Sequence, residues 1–149
     1  MYLDTAIIIK LLVREADSAW FDRALSGESF ETSELAVTEV CSALLAKERG
    51  AHITARERAE ADKKFLGMIE GGWIKLYSLN RSVLERASMI QRACHPRVPL
   101  RTLDALHVAT CDLHQAGTLA TTDARMRAAC EQFAIRLVPE KPGDVMAGN

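Results

Sequence analysis

The sequence predicts an α/β sandwich around a parallel sheet. Two observations carry this: short apolar or β-prone runs alternate with longer helical patterns along the chain, and 149 residues give room for one ordinary domain. Hydrophobic residues make up 48% and charged residues 26%, with 8 Gly and 4 Pro, which excludes a disordered or fibrous chain. A domain of this length would bury roughly two-thirds of its unfolded surface.

The elements follow in order. Residues Met1 to Leu3 form the first strand, and a nearly all-apolar helix runs from Ala6 to Val13. An amphipathic helix from Ser18 to Leu25 offers Trp20 and Phe21 to the core. The second strand is Phe30 to Thr32. A third helix, Glu34 to Arg49, has Ser33 as its N-cap and Gly50 as its stop. Thr54 and Glu57 have capping-box spacing and open a polar helix to about Ile69, closed by Gly71 and Gly72 before the strand Trp73 to Tyr77. Ser82 and Glu85 repeat that signature at the head of a helix towards Cys94. Pro96 and Pro99 make His95 to Leu100 a loop. Thr102 caps a helix to Gln115, ended at Gly117; then come the strand Thr118 to Thr121, a helix from about Ala124 to Phe133, and the strand Ile135 to Val138. No repeat or linker interrupts this order, so residues 1–149 read as a single domain.

Charge and cysteine usage narrow the function. With 19 basic and 20 acidic residues the net charge is -1, so any polyanion must be held locally, by a patch of cations or by a metal. The longest mostly apolar stretch, Ala6 to Val13, contains Lys10 and falls far short of the roughly 20 residues of a membrane span. The start Met1-Tyr2-Leu3-Asp4 lacks a basic leader, and a cytoplasmic location without membrane contact is expected. Cys41, Cys94, Cys111 and Cys130 form no CxxC pair and are expected to be buried, reduced thiols.

Four acids occupy informative places. Asp4 and Asp123 each follow a strand, at the carboxyl edge where open α/β sheets bind ligands, although either could simply cap the helix that follows. Glu39 shares a helical row with Leu35 and Ala43, beside Val40 and Leu44, so a carboxylate lies in a core-facing stripe and needs a cation, a proton or a cleft; the other reading is a Glu at the stripe's edge, reaching solvent. Asp104 shares a row with Val108 and Cys111, and would also suit the helix dipole in a first turn, an interaction of about 0.3 to 1 kcal/mol. A parallel sheet would bring strand ends and helix N-terminal turns to one rim. Carboxylates crowded there repel unless a divalent ion neutralises them, and magnesium, a hard ion that prefers oxygen and bridges phosphate, suits such a rim. Phosphodiester hydrolysis is then the reaction class indicated.

These residues resemble a PIN-domain ribonuclease, and more narrowly a VapC-type toxin of a toxin-antitoxin pair. The resemblance rests on Tyr2-Leu3-Asp4-Thr5, on Ser33 to Leu45 with Glu39, on Leu100 to Ala109 with Asp104, and on Thr121-Thr122-Asp123. It implies a PIN-like α/β/α sandwich with a central five-stranded parallel sheet, a magnesium or manganese site made by Asp4, Glu39, Asp104 and Asp123, and supporting hydroxyls at Thr5 and Thr121. It also implies RNA as substrate, a cognate antitoxin as partner, and a homodimer. His107 reads as a satisfied core histidine outside the site, and Arg101, Arg125 and Arg127 as exposed cations that could meet phosphate. A catalytically inactive PIN scaffold acting as a binding module is the alternative. A phosphotransferase with an aspartyl nucleophile is disfavoured, since Asp4-Thr5-Ala6 lacks the second Asp of a DxD motif.

Overall fold

The computed structural model describes residues 1–148. Its elements are β1 (Tyr2–Leu3), α1 (Thr5–Leu12), α2 (Ser18–Ala24), β2 (Phe30–Ser33), α3 (Leu35–Arg49), α4 (Ala55–Glu70), β3 (Ile74–Tyr77), α5 (Arg81–Cys94), α6 (Thr102–Leu113), β4 (Thr118–Ala120), α7 (Ala124–Gln132) and β5 (Arg136–Val138). The final 3₁₀ helix, Pro142–Gly148, was not expected from the sequence. The five strands form one sheet in the order β3-β2-β1-β4-β5, and every pairing is parallel. Among the described residues no helix is long and apolar enough to cross a membrane.

Side chains that alternate along a strand divide the interior into two cores. Tyr2 and Leu119, opposite each other in the β1–β4 register, point to the face covered by α5, α6 and α7, with Val83, Ile90, Val108 and Ala129. Their neighbours Leu3 and Ala120 point to the other face, with Ile7 and Ile8 of α1, Phe21 of α2, Val40 of α3 and Phe65 of α4. This division follows from connectivity. Right-handed crossovers that step from β1 to β2 to β3 in one direction, and from β4 to β5 in the other, lay their helices on opposite faces. The chain therefore diverges at the carboxyl ends of β1 and β4, the crevice where such sheets bind ligands.

Several local expectations change. Asn80, not Ser82, caps α5, its side chain accepting the Val83 N–H at 3.2 Å, while Glu85 pairs with Arg81. Thr102 is the first residue of α6 and makes no side-chain cap; Arg101 occupies the N-cap position. Both shifts reflect two or more polar residues competing for one helix start, which local pattern alone does not rank. Thr54 and Glu57 do form the reciprocal capping box of α4. Gly72, at φ +73°, makes the left-handed turn into β3. Cys94, Cys111 and Cys130 are buried free thiols, but Cys41 is exposed, because on α3 it is turned away from the buried row Ala36, Val40 and Leu44.

Candidate active site

The two central strands hand their backbone to the rim at Asp4 and Asp123. The Asp4 N–H donates to Ala120 O at 3.2 Å, stitching the end of β1 to the end of β4. The Asp4 carboxylate, only 3% exposed, turns back onto α1, where Oδ1 accepts the Ile7 N–H at 2.8 Å. Asp123 does the same for α7: Oδ1 accepts from Arg125 N at 2.8 Å and from Met126 N at 3.0 Å. Thr121, fully buried, receives the Asp123 N–H on its hydroxyl at 3.0 Å. The capping role that sequence allowed for both acids is thus real, and it fixes them at the rim.

Asp104 enters from the first turn of α6, above the buried Val108 and Cys111. Its Oδ2 is buried and has no hydrogen-bond partner among the described residues. Burial, and then the charge of Asp123, push the Asp104 carboxyl above its ordinary value. Asp4 is also raised, chiefly by burial and further by Asp123, against the opposing pull of the Thr121 hydroxyl and the Ile7 N–H. Asp4 and Asp104, from separate segments, therefore both lie within reach of the Asp123 charge. The side chains as placed do not form a ready cage: among the described residues no group of three or more His, Cys, Asp or Glu converges closely enough to hold an ion. Nevertheless the donors fit a hard cation. They are carboxylates, and a divalent ion would satisfy the orphaned oxygen of Asp104.

Glu39 stands on the flank of α3, beside the buried Val40, and faces neither the core nor bulk water. Its Oε2 accepts from the Thr5 hydroxyl, and lies 2.7 Å from Nε2 of His107. Burial raises its carboxyl, but the hydrogen bonds from His107 and Thr5 outweigh that and leave it below the usual value. Glu39 also lines an apolar groove of about 490 Å³, together with Ala43, Ala46 and the exposed Leu103.

His107, set aside on sequence grounds, proves to be both a satisfied core histidine and a neighbour of the site. Its other nitrogen, Nδ1, is 2.8 Å from the Tyr2 hydroxyl, which also accepts the Ser33 N–H at 3.1 Å. The helical row of His107 announced burial, but its partner Glu39 is 68 residues away in sequence. Arg127 changes role in the opposite sense. It is buried, and donates to Thr121 O, Pro139 O and Glu140 O, which binds together the segments after β4 and β5. Arg101 is exposed at the head of α6, and Arg125 is half-buried in the first turn of α7.

The PIN domain family matches residues 1–132, a span that includes all four acids. The chain belongs to the PIN-domain family. This PIN domain is 32% identical over 141 residues to Ribonuclease VapC46 of Mycobacterium tuberculosis (strain ATCC 25618 / H37Rv), a match covering 93% of the chain and 95% of that protein. The similarity extends over nearly the full length of both, which groups this PIN domain with VapC-type members. The five-stranded parallel sheet between helical layers agrees with the PIN-like architecture expected from the sequence.

Proposed function

We propose that this PIN domain is a magnesium-dependent endoribonuclease, the toxin of a toxin-antitoxin pair acting in the cytoplasm. Asp4, Asp104, Asp123 and Glu39 would hold the ion, with Thr5 and Thr121 supporting them; manganese could replace magnesium. The observation that carries the proposal is the buried, partnerless Oδ2 of Asp104, at a rim where burial and then the charge of Asp123 push the carboxyls of both Asp104 and Asp4 upward. Uncompensated, such a carboxylate is destabilising, and binding of a cation and a phosphate supplies a reason to keep it. The name of the VapC46 relative supports RNA as the substrate.

When bound, magnesium supplies Lewis-acid stabilisation for the charge that builds on the phosphoryl oxygens and on the departing 3′ oxygen. The protein orients what reacts. Asp4 and Asp123 are immobilised on helix N-termini, so their free oxygens keep one geometry through the reaction. Arg101 and Arg125 flank the rim and would receive the phosphates on either side of the scissile bond. Water would then attack phosphorus in line with the 3′ oxygen; a new P–O bond forms, the P–O3′ bond breaks, the proton that the water gives up is balanced by one taken up at O3′, and the products carry a 5′ phosphate and a 3′ hydroxyl. A cognate antitoxin is the partner proposed from the VapC-type kinship, and a second copy of the chain is proposed from the family resemblance alone.

Cleavage of a mixed RNA pool, with magnesium and with chelator, tests the proposal on the native chain and on Asp4→Asn. Metal-dependent cutting that is lost in Asp4→Asn is expected. Cutting that persists in chelator and survives the substitution would reject the mechanism. A chain that neither cuts nor gains thermal stability in millimolar magnesium would be a binding scaffold instead.

A further inference from the structure

We propose that His107 is a positioning residue: braced from behind by Tyr2, it holds Glu39 so that one carboxylate oxygen is occupied and the other is presented to the cleft. The role in catalysis rests on the metal-site reading above, whereas the bracing itself does not.

The need for such a brace follows from how the four acids are held. Asp4 and Asp123 have short side chains locked onto the N–H groups of their own helices. Asp104 is confined by burial in a first turn. Glu39 has neither advantage. It sits in the second turn of α3, past the N–H groups that a helix start leaves for a capping side chain, and its long side chain has several rotamers to choose among. Its hydrogen bonds among the described residues come from Thr5 and His107, and both converge on the same oxygen, Oε2. Oε1 is thereby left for a ligand.

His107 is itself immobile. It is 3% exposed, its ring meets that of Tyr2 edge-on at a centroid distance of 5.8 Å, and Nδ1 meets the Tyr2 hydroxyl. With the imidazole proton on Nε2, every group in the chain is matched: Ser33 N–H donates to the Tyr2 oxygen, Tyr2 O–H to Nδ1, Nε2–H to Glu39, and Thr5 O–H to Glu39. The chain starts in the central strands and ends at the acid, so the rigidity of the sheet is transmitted to the one site carboxylate that lacks a local anchor.

The test uses the whole chain with four readouts: the metal-free crystal structure, calorimetric binding of manganese(II) alone, kcat and KM on an RNA oligonucleotide, and the thermal midpoint. In His107→Leu, Glu39 should lose its single rotamer, manganese binding should weaken about 10- to 100-fold, and kcat should fall by a comparable factor with KM unchanged. His107→Gln, which can place an N–H near the position of Nε2, should recover most of both losses. Tyr2→Phe keeps the imidazole but removes its brace, and should show the same effects at smaller size; it carries the test if His107→Leu does not fold. A folded His107→Leu with Glu39 unmoved and native manganese affinity overturns the proposal. Glu39 disordered by the substitution, in a chain whose native form binds no manganese and cuts no RNA, would uphold the brace and overturn the nuclease reading instead.

Discussion

Thr121 stands directly behind Asp123: its hydroxyl accepts the Asp123 N–H at 3.0 Å while Asp123 Oδ1 takes the N–H groups of Arg125 and Met126. One side chain thus caps the start of a helix at the carboxyl end of a strand, and Asp4 repeats the arrangement on α1. Asparagine caps a helix about as well as aspartate, whereas alanine does not cap at all. Asp123→Asn should leave urea stability nearly unchanged, and Asp123→Ala should cost about 1 kcal/mol. RNA cleavage should be lost in both. An alanine variant as stable as the asparagine one would show that the cap contributes nothing.

Asp104 predicts the opposite trade. Its buried oxygen has no partner and its carboxyl is raised by burial and by Asp123, so the charged form is disfavoured in the folded chain. In chelator, Asp104→Asn should melt above the native protein at neutral pH, and with magnesium restored it should fail to cleave RNA. A carboxyl raised on folding means that the native state binds the proton more tightly than the unfolded one. The penalty is therefore present above the folded value and is relieved as pH falls through it towards the unfolded value. The gap between the two melting curves should narrow over that window, and a gap independent of pH would contradict the assignment.

Lys10 reaches Glu15 and Asp17, each at 2.8 Å, and Lys47 meets the other oxygen of Glu15, so one charge cluster ties α1 and its following loop to α3. Burial raises the Glu15 carboxyl, but the two lysines more than offset this and its net direction is downward. Stability from such a group is present above its unfolded value and disappears as pH falls through the lowered folded value. Glu15→Gln should cost about 0.5 to 1 kcal/mol at pH 7 and nothing in strong acid, read from urea melts across that range.

Arg127 satisfies three carbonyls from inside the protein. Arg127→Met would keep the bulk and strand those oxygens, and should destabilise the fold by about 2 kcal/mol or more. Lysine should rescue it poorly, since a single ammonium cannot span the planar fork. Because one of the three acceptors is Thr121 O, cleavage should fall together with stability. Loss of cleavage with full stability would mark Arg127 as a phosphate contact after all.

The positions of the candidate acids in the fold were largely legible before the structure. Asp4 and Asp123 follow apolar strands, and Asp104 heads a row with Val108 and Cys111, so their placement is written in neighbours a few residues away. Where several polar residues crowd one helix start, the pattern failed: Asn80 displaced Ser82, and Arg101 displaced Thr102. Cys41 looked like its three buried counterparts because cysteine composition says nothing about which face of α3 it occupies.

What the chain determined by itself is whatever depends on short-range periodicity: among the described residues, seven α-helices, five strands, and acids at several of their junctions. Which groups meet was decided only by folding. Tyr2 and His107 lie 105 residues apart, and Thr5 and Glu39 lie 34 apart, yet they form one hydrogen-bonded line. Arg127, polar and near the rim in sequence, went inside because three carbonyls needed its donors. Backbone pattern is local and repeats every two or every 3.6 residues. The pairing of buried polar groups is a long-range bookkeeping of donors and acceptors, and it closes only once the strands are in register.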